Sequence, residues 1–148
     1  MLSISFLEPK EYAFNTLMFK SMFNSYKHFS LDATQVYSVN NNHINIGIIT
    51  VHKNDQGYTV KVIKTPNVCR LSFIALLEAS VFIAKKLEMN SEEDVVTFKL
   101  YISTYIFKYK MIFKDLPFNE LGENISISLK NLKTIENKDI TKRNVEFA

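Results

Sequence analysis

The chain is poor in the residues that commit a small protein to specialised chemistry. Its one cysteine, Cys69, excludes a disulfide scaffold and a cysteine-based zinc cluster, and suits a reducing compartment. Three glycines and three prolines exclude a collagen-like or linker-like chain, and no glycine-rich loop is present to cradle phosphates. Tryptophan is absent, and arginine occurs only as Arg70 and Arg143, so lysine carries nearly all the basic charge. The planar fork of arginine is what reads phosphates and guanines through paired bonds, and two copies are too few for that. A net charge of +3 is also too mild for a nucleic-acid footprint unless lysines gather on one face. The longest apolar run, residues 73–84, is interrupted by Glu78 and Ser80 and is too short to cross a bilayer, so no membrane partner is expected. The opening MLSISFLEPKEYAF has no basic segment ahead of a long apolar one; no secretory signal and a cytoplasmic location are therefore expected. Abundant Lys, Asn, Ile, Phe and Tyr fit an AT-rich genome of the kind carried by mobile elements and viruses.

What is present is a globular composition. At 148 residues, 47% hydrophobic and 22% charged, the chain has the size and apolar content of a single domain over 1–148, with too little net charge for disorder. Residues 9–27 repeat apolar side chains at helical spacing, with Phe19, Met22, Phe23 and Tyr26 in one stripe and Pro9 and Glu11 suited to a first turn. This predicts a helical segment within residues 1–30. Its stripe is either a core face or, because methionine-rich faces adapt to what they meet, a partner-binding face.

Three strands are expected next, over residues 34–39, 44–52 and 58–64. The asparagine turn 40–42 and the polar turn 53–57 join them, so they form an antiparallel meander. Residues 68–88 predict a helix that is apolar nearly all round; its narrow polar stripe, Ser72, Glu78, Lys85 and Lys86, requires cover on more than one side. A strand over 95–102 follows, with Val96, Phe98 and Leu100 on one face. Residues 104–113 read as strand or helix. Pro117 and Gly122 mark a loop, 125–129 a short strand and 138–148 a terminal helix. The expected class is α/β in the α+β sense, with a three-strand meander, a central helix and further strands and helices.

From residue 34 onward, this order resembles the ribonuclease H-like fold. VYSVNNNHINIGIITVHKNDQGYTVKVI is similar to the first hairpin of such domains, and LSFIALLEASVFIAKKLEM to their central helix. FKLYISTYIF resembles the strand that runs into the next helix, and ISISLKNLKTIENKDITKRNVEFA the last strand and terminal helix. The resemblance implies a core over 34–148 with four carboxylates holding two metal ions, which activate water and stabilise the leaving oxygen. Aligned by strand ends, those four positions fall at Val39, Leu76, Ile102 and, at the uncertain chain end, Glu146. No acid occurs from 33 to 54 or from 95 to 114. Glu78 stands about 200° around the helix from Leu76, so it does not substitute. The resemblance thus implies a domain that has lost nuclease activity, with no metal, no cofactor and no enzyme function.

Other chemistry is thinly supported. Cys69 beside Arg70 at a helix start suits a lowered thiol pKa, but a nucleophile also needs a base and an orienting partner. His43 and His52 end one strand roughly 30 Å apart and cannot share a metal within it. Glu92, Glu93 and Asp94 read as a solvated turn. Aromatics and lysines interleave over residues 101–114, a pattern that can stack bases and contact phosphates or, equally, place aromatics in a core. Two readings follow. One is a non-catalytic scaffold docking on a nucleic-acid-processing partner, or on nucleic acid itself through Lys108, Lys110, Lys114, Lys130 and Lys133. The other is a small protein-binding factor (an inhibitor, immunity protein or secretion chaperone) or a homodimer, acting through the Phe19/Met22/Phe23/Tyr26 face.

Overall fold

The computed structural model describes residues 2–7, 35–65, 68–100, 106–136 and 145–147. Strand β1 is Leu2–Phe6, and the meander is β2 (Gln35–Asn41), β3 (Ile44–Asn54) and β4 (Gly57–Lys64). Helix α1 (Arg70–Lys85) leads to β5 (Val95–Leu100), and α2 (Ile106–Phe113) to the hairpin β6 (Phe118–Leu121) and β7 (Asn124–Ser128). One short turn of helix, α3 (Leu129–Leu132), and the strand β8 (Val145–Phe147) complete the described order. All eight strands belong to one mixed sheet in the order β6-β7-β5-β4-β3-β2-β1-β8. β5 runs parallel to β4, β8 runs parallel to β1, and the other neighbours are antiparallel.

The meander forms as the alternation and turns require. Asn42 and His43 hold positive φ at the first turn, and Gly57 closes the second at a φ of 144°. A side chain at Gly57 would meet the Val95 carbonyl at 2.2 Å, so glycine is what lets β4 and β5 begin side by side. Gly47 serves the other half of the sheet. An added Cβ there would lie 2.6 Å from a Leu76 methyl and 2.5 Å from the Ile63 carbonyl oxygen, so α1 rests directly on β3.

The helix apolar nearly all round is indeed covered on several sides. Phe73, Leu76, Leu77, Ile83 and Ala84 pack with Val60, Val62, Phe98 and Leu100 of the sheet and with Tyr109 and Phe113 of α2 in one core. Residues 106–113 settle as helix because Ile106, Tyr109, Ile112 and Phe113 recur at the spacing that buries one helical face. Tyr109 is fully buried against Phe98, with ring centroids 4.7 Å apart, and its hydroxyl is 2.7 Å from that of Ser80. The Ser80 hydroxyl also lies 2.6 Å from the Leu77 carbonyl oxygen, which it bonds along the helix. Tyr58, at the start of β4, donates to the Glu88 carbonyl oxygen at 2.6 Å and so ties the end of α1 to the sheet.

Several expectations need correcting. Residues 2–6, ahead of the helix expected over 9–27, are a strand at the far side of the meander, and that helix lies outside the described residues. The loop expected at Pro117 and Gly122 is a hairpin, with Gly122 at positive φ in its turn. Residues 145–147 are a strand, not terminal helix. The ribonuclease H-like order itself fails on the sheet. Element order leaves open which meander strand receives the strand after the helix; here it is β4, the last of the three, and β7 closes against the other side of β5. The stripe Phe19, Met22, Phe23 and Tyr26 lies outside the described residues, as do Ile102 and the side chain of Glu146. Among the described residues, no helix is long and apolar enough to cross a membrane.

Candidate functional site

Parallel strands cannot be joined by a tight turn, so α1 carries the chain from the end of β4 back to the start of β5. In sheets of this kind, ligands bind outside the carboxyl ends of parallel strands. Here the described pairing of β4 with β5 runs from Gly57–Val95 to Val62–Leu100, and β4 continues to Lys64. Beyond Leu100, whose N–H bonds to the Glu123 carbonyl, β4 keeps its partner only on the β3 side, where the Thr65 N–H donates to Ile46. Backbone groups alternate sides along a strand. With Thr65 turned to β3, the Lys64 N–H and C=O face the open side. Among the described residues no strand pairs with them. The carboxyl end of the parallel pair, where Lys64 turns its backbone groups to the β5 side, is termed the fork.

The start of α1 stands beside that fork. Cys69 occupies the N-cap position, no side chain caps the helix, and the first turn holds no acid. Its first-turn N–H groups of Leu71 and Ser72 are directed toward the Cys69 sulfur, with the positive end of the helix dipole behind them and Arg70 exposed next to them. Cys69 Sγ lies 3.4 Å from Ser72 Oγ, and hydrogen bonding there holds the thiol below its usual range.

The two faces of the sheet differ at the fork. Towards α1 lie Val60, Val62, Phe98 and Leu100, all buried. On the reverse, register aligns Thr50, Lys61, Lys99 and Asn124 across β3, β4, β5 and β7. One step back, Thr59, Thr97 and Ser126 form a second polar rank, with Thr97 and Ser126 hydroxyls 2.9 Å apart. Lys61 is held below its usual range by partial burial and then by the charge of Lys99. Further along, a bulge between Val39 and Asn40 turns Asn45 to this face, where its amide donates to Ser38 Oγ at 2.7 Å and Asn40 Oδ1 at 3.1 Å. Two clefts, about 270 Å³ beside Ile112 and Leu116 and about 260 Å³ beside Phe118 and Ser128, open at the other end of the strands.

The residues singled out from sequence are placed differently from what was expected. Val39 pairs with Gly47 and Leu76 packs over that glycine, both as fully buried core side chains. Lys108 pairs with Glu78 at 3.0 Å and Lys110 with Glu120 at 2.6 Å. Lys130 lies 3.7 Å from Glu92, and Lys133 donates to the Lys85 and Leu87 carbonyls at the end of α1. Lys114, at positive φ, ends α2. Of the interleaved aromatics, Tyr109 and Phe113 are core and Phe107 is outward. These lysines serve packing and ion pairs on several elements and do not gather as a phosphate-binding face. Sequence reasoning missed the fork and the Lys61–Lys99 rank. The fork is a backbone feature, and the rank needs a register between strands 38 residues apart in the chain.

No family model matches the sequence, and no curated protein matches it. Solved structures do. The ribosomal-protein-S18-alanine N-acetyltransferase from Escherichia coli superposes with a TM-score of 0.55 at 15% identity, covering 87% of this chain and 94% of that one. A variant of the spermidine N-acetyltransferase from Vibrio cholerae gives 0.56 at 13% identity, over 88% and 95%. A chain of the AtaT–AtaR complex bound to DNA gives 0.55 at 12% identity, over 88% and 97%. The fold is therefore that of the GCN5-related N-acetyltransferases, not ribonuclease H. The scaffold reading falls with it. It rested on missing nuclease carboxylates, and their absence is no argument against catalysis in a fold shared with solved N-acetyltransferases.

Proposed function

We propose that the chain transfers an acetyl group from a thioester donor to an amine at the fork between β4 and β5. The observation that carries this reading is the carboxyl end of the parallel β4–β5 pair, where Lys64 turns its backbone groups to the β5 side beside the start of α1. The fold likeness supports it. An extended, amide-bearing donor arm can bond the Lys64 N–H and C=O as an added strand would. The first-turn N–H groups of α1 and the Arg70 guanidinium suit the diphosphate of a coenzyme A donor. The residues present fit such a donor, although no glycine between Thr65 and Phe73 lets the backbone close around it.

The reaction asks little covalent chemistry of the protein. The neutral amine nitrogen attacks the thioester carbonyl carbon, the C–N bond forms, and the C–S bond breaks. The thiolate leaves and the proton lost by the amine neutralises it. The gain is chiefly from holding donor and acceptor together. Tyr109 is not the proton donor, because its hydroxyl is buried against Ser80 and burial raises it well above the usual phenol range. A protein partner stays part of this reading, since one of the matched chains was solved in the AtaT–AtaR complex. A cytoplasmic site of action is supported by the lone, unpaired cysteine.

The test is thiol release from acetyl-coenzyme A by the purified chain in the presence of mixed primary amines, with the acetylated product identified by mass. Release that depends on both protein and amine is expected. A folded protein that releases no thiol above the blank with any amine overturns the proposal.

A further inference from the structure

Lys61 and Lys99 are register partners on adjacent parallel strands, with side chains on the sheet face away from α1. Like charges set directly opposite one another destabilise a sheet. Among the described residues, neither lysine has a carboxylate within ion-pair distance, although Lys108, Lys110 and Lys130 each find one. Lys61 is also partly buried. Asn124 stands in register beside Lys99, and its Oδ1 is buried without a hydrogen-bond partner. Lys61 and Lys99 each precede by one residue the last pair before the fork, roughly 3 Å along the strand. Two cations without a carboxylate partner among the described residues thus stand next to the proposed place of transfer, on the face away from α1.

Resting on the acetyl-transfer reading, we propose that the acceptor is an amine whose molecule also carries a phosphate or carboxylate, held by Lys61 and Lys99, and that polyamines are excluded. An anion there removes the repulsion between the two lysines and gains a charge-assisted hydrogen bond from each. The same two cations disfavour the ammonium form of that amine, which lowers its pKa and raises the share of neutral nucleophile. A polycation such as spermidine meets only repulsion at this rank.

The experiment compares O-phosphoethanolamine, γ-aminobutyrate and spermidine as acceptors with acetyl-coenzyme A, for the wild type, Lys61→Gln, Lys99→Gln and Lys61→Arg. Separately, without donor, inorganic phosphate is titrated while the backbone amide signals of Lys61, Lys99 and Asn124 are followed. At least one anionic amine is expected to be used about tenfold or more better than spermidine, as one or two charge-assisted hydrogen bonds imply. Each Gln variant should lose about that factor, mostly through KM, while Lys61→Arg keeps most of it and all variants stay folded. Preference for the phosphate or the carboxylate arm identifies the anion. Phosphate-induced shifts at the three amides without transfer to any amine uphold the anion site and overturn the acetyl-transfer reading. Spermidine used as well as the anionic amines, or phosphate shifts unchanged in both Gln variants, overturns the anion site even if transfer occurs.

Discussion

Towards α1, β4 and β5 present Val60, Val62, Phe98 and Leu100, each at most 3% exposed, whereas on the reverse they present Thr59, Lys61, Thr97 and Lys99, all partly exposed. The same stretch of strand, roughly 10 Å long, therefore serves two different purposes. On the first face every side chain is worth what it removes from water and what it fills, so its composition is dictated by packing. On the second, Thr50, Ile48 and Ile63 are buried too, but the partly exposed positions are not dictated by the α1 core. A costly arrangement such as two lysines in register there has to be explained by something outside the fold. The lesson is that stability reads from the buried positions and specificity from the partly exposed ones.

That contrast breaks most visibly if a core ring is removed. Phe98→Ala deletes the ring against which both Tyr109 and Phe113 stack, and is expected to cost about 3–5 kcal/mol in denaturant unfolding. A cost below 1 kcal/mol would mean that this face is not the dry one.

The Ser80–Tyr109 pair sharpens the comparison, because it is the polar exception on the dry side. Ser80→Ala orphans the Tyr109 hydroxyl and should cost about 1–3 kcal/mol, and adding Tyr109→Phe should restore much of it. The pair also has a pH signature. Burial raises the Tyr109 pKa above its ordinary 10.0, so the unfolded chain ionises first. Stability from this group is complete below pH 10 and falls as pH rises beyond it. Lys61, lowered in the fold, acts in the opposite sense. Unfolding midpoints followed from pH 8 to 11 should therefore fall more steeply for the wild type than for Tyr109→Phe; equal slopes would place the phenol in water. The smallest effect belongs to the reverse face, where Thr97→Ala loses only a part-buried bond to Ser126 and is expected to cost about 0.5–1 kcal/mol.

Much of this was legible in the sequence. The alternation of YTVKVIK and the asparagine turn gave the meander, and the near-continuous apolar pattern of residues 70–85 announced a helix covered on several sides. What misled was order. A meander followed by a helix and a parallel strand suits more than one sheet, and periodicity does not say whether β5 joins the first or the last strand of the meander. Gly57 held the clue, since only a residue without a side chain lets the start of β4 touch Val95. The fork had no side-chain signal at all, because it is made by backbone groups of Lys64. Lys61 was visible as the polar half of an alternating strand, but its meeting with Lys99 was not, because a parallel register is set by the length and packing of the connecting helix. Reading Val39 and Leu76 as vacated metal positions followed from the wrong sheet; in the right one they are the ordinary lining around Gly47.

The most direct test of the fork is amide hydrogen exchange with and without acetyl-coenzyme A. Transfer at this place predicts new protection at Lys64 and at the first-turn amides of Arg70, Leu71 and Ser72, with Gly57–Val60 unchanged. Donor binding that leaves Lys64 and the start of α1 exchanging as before, or that protects a different edge of the sheet, contradicts it.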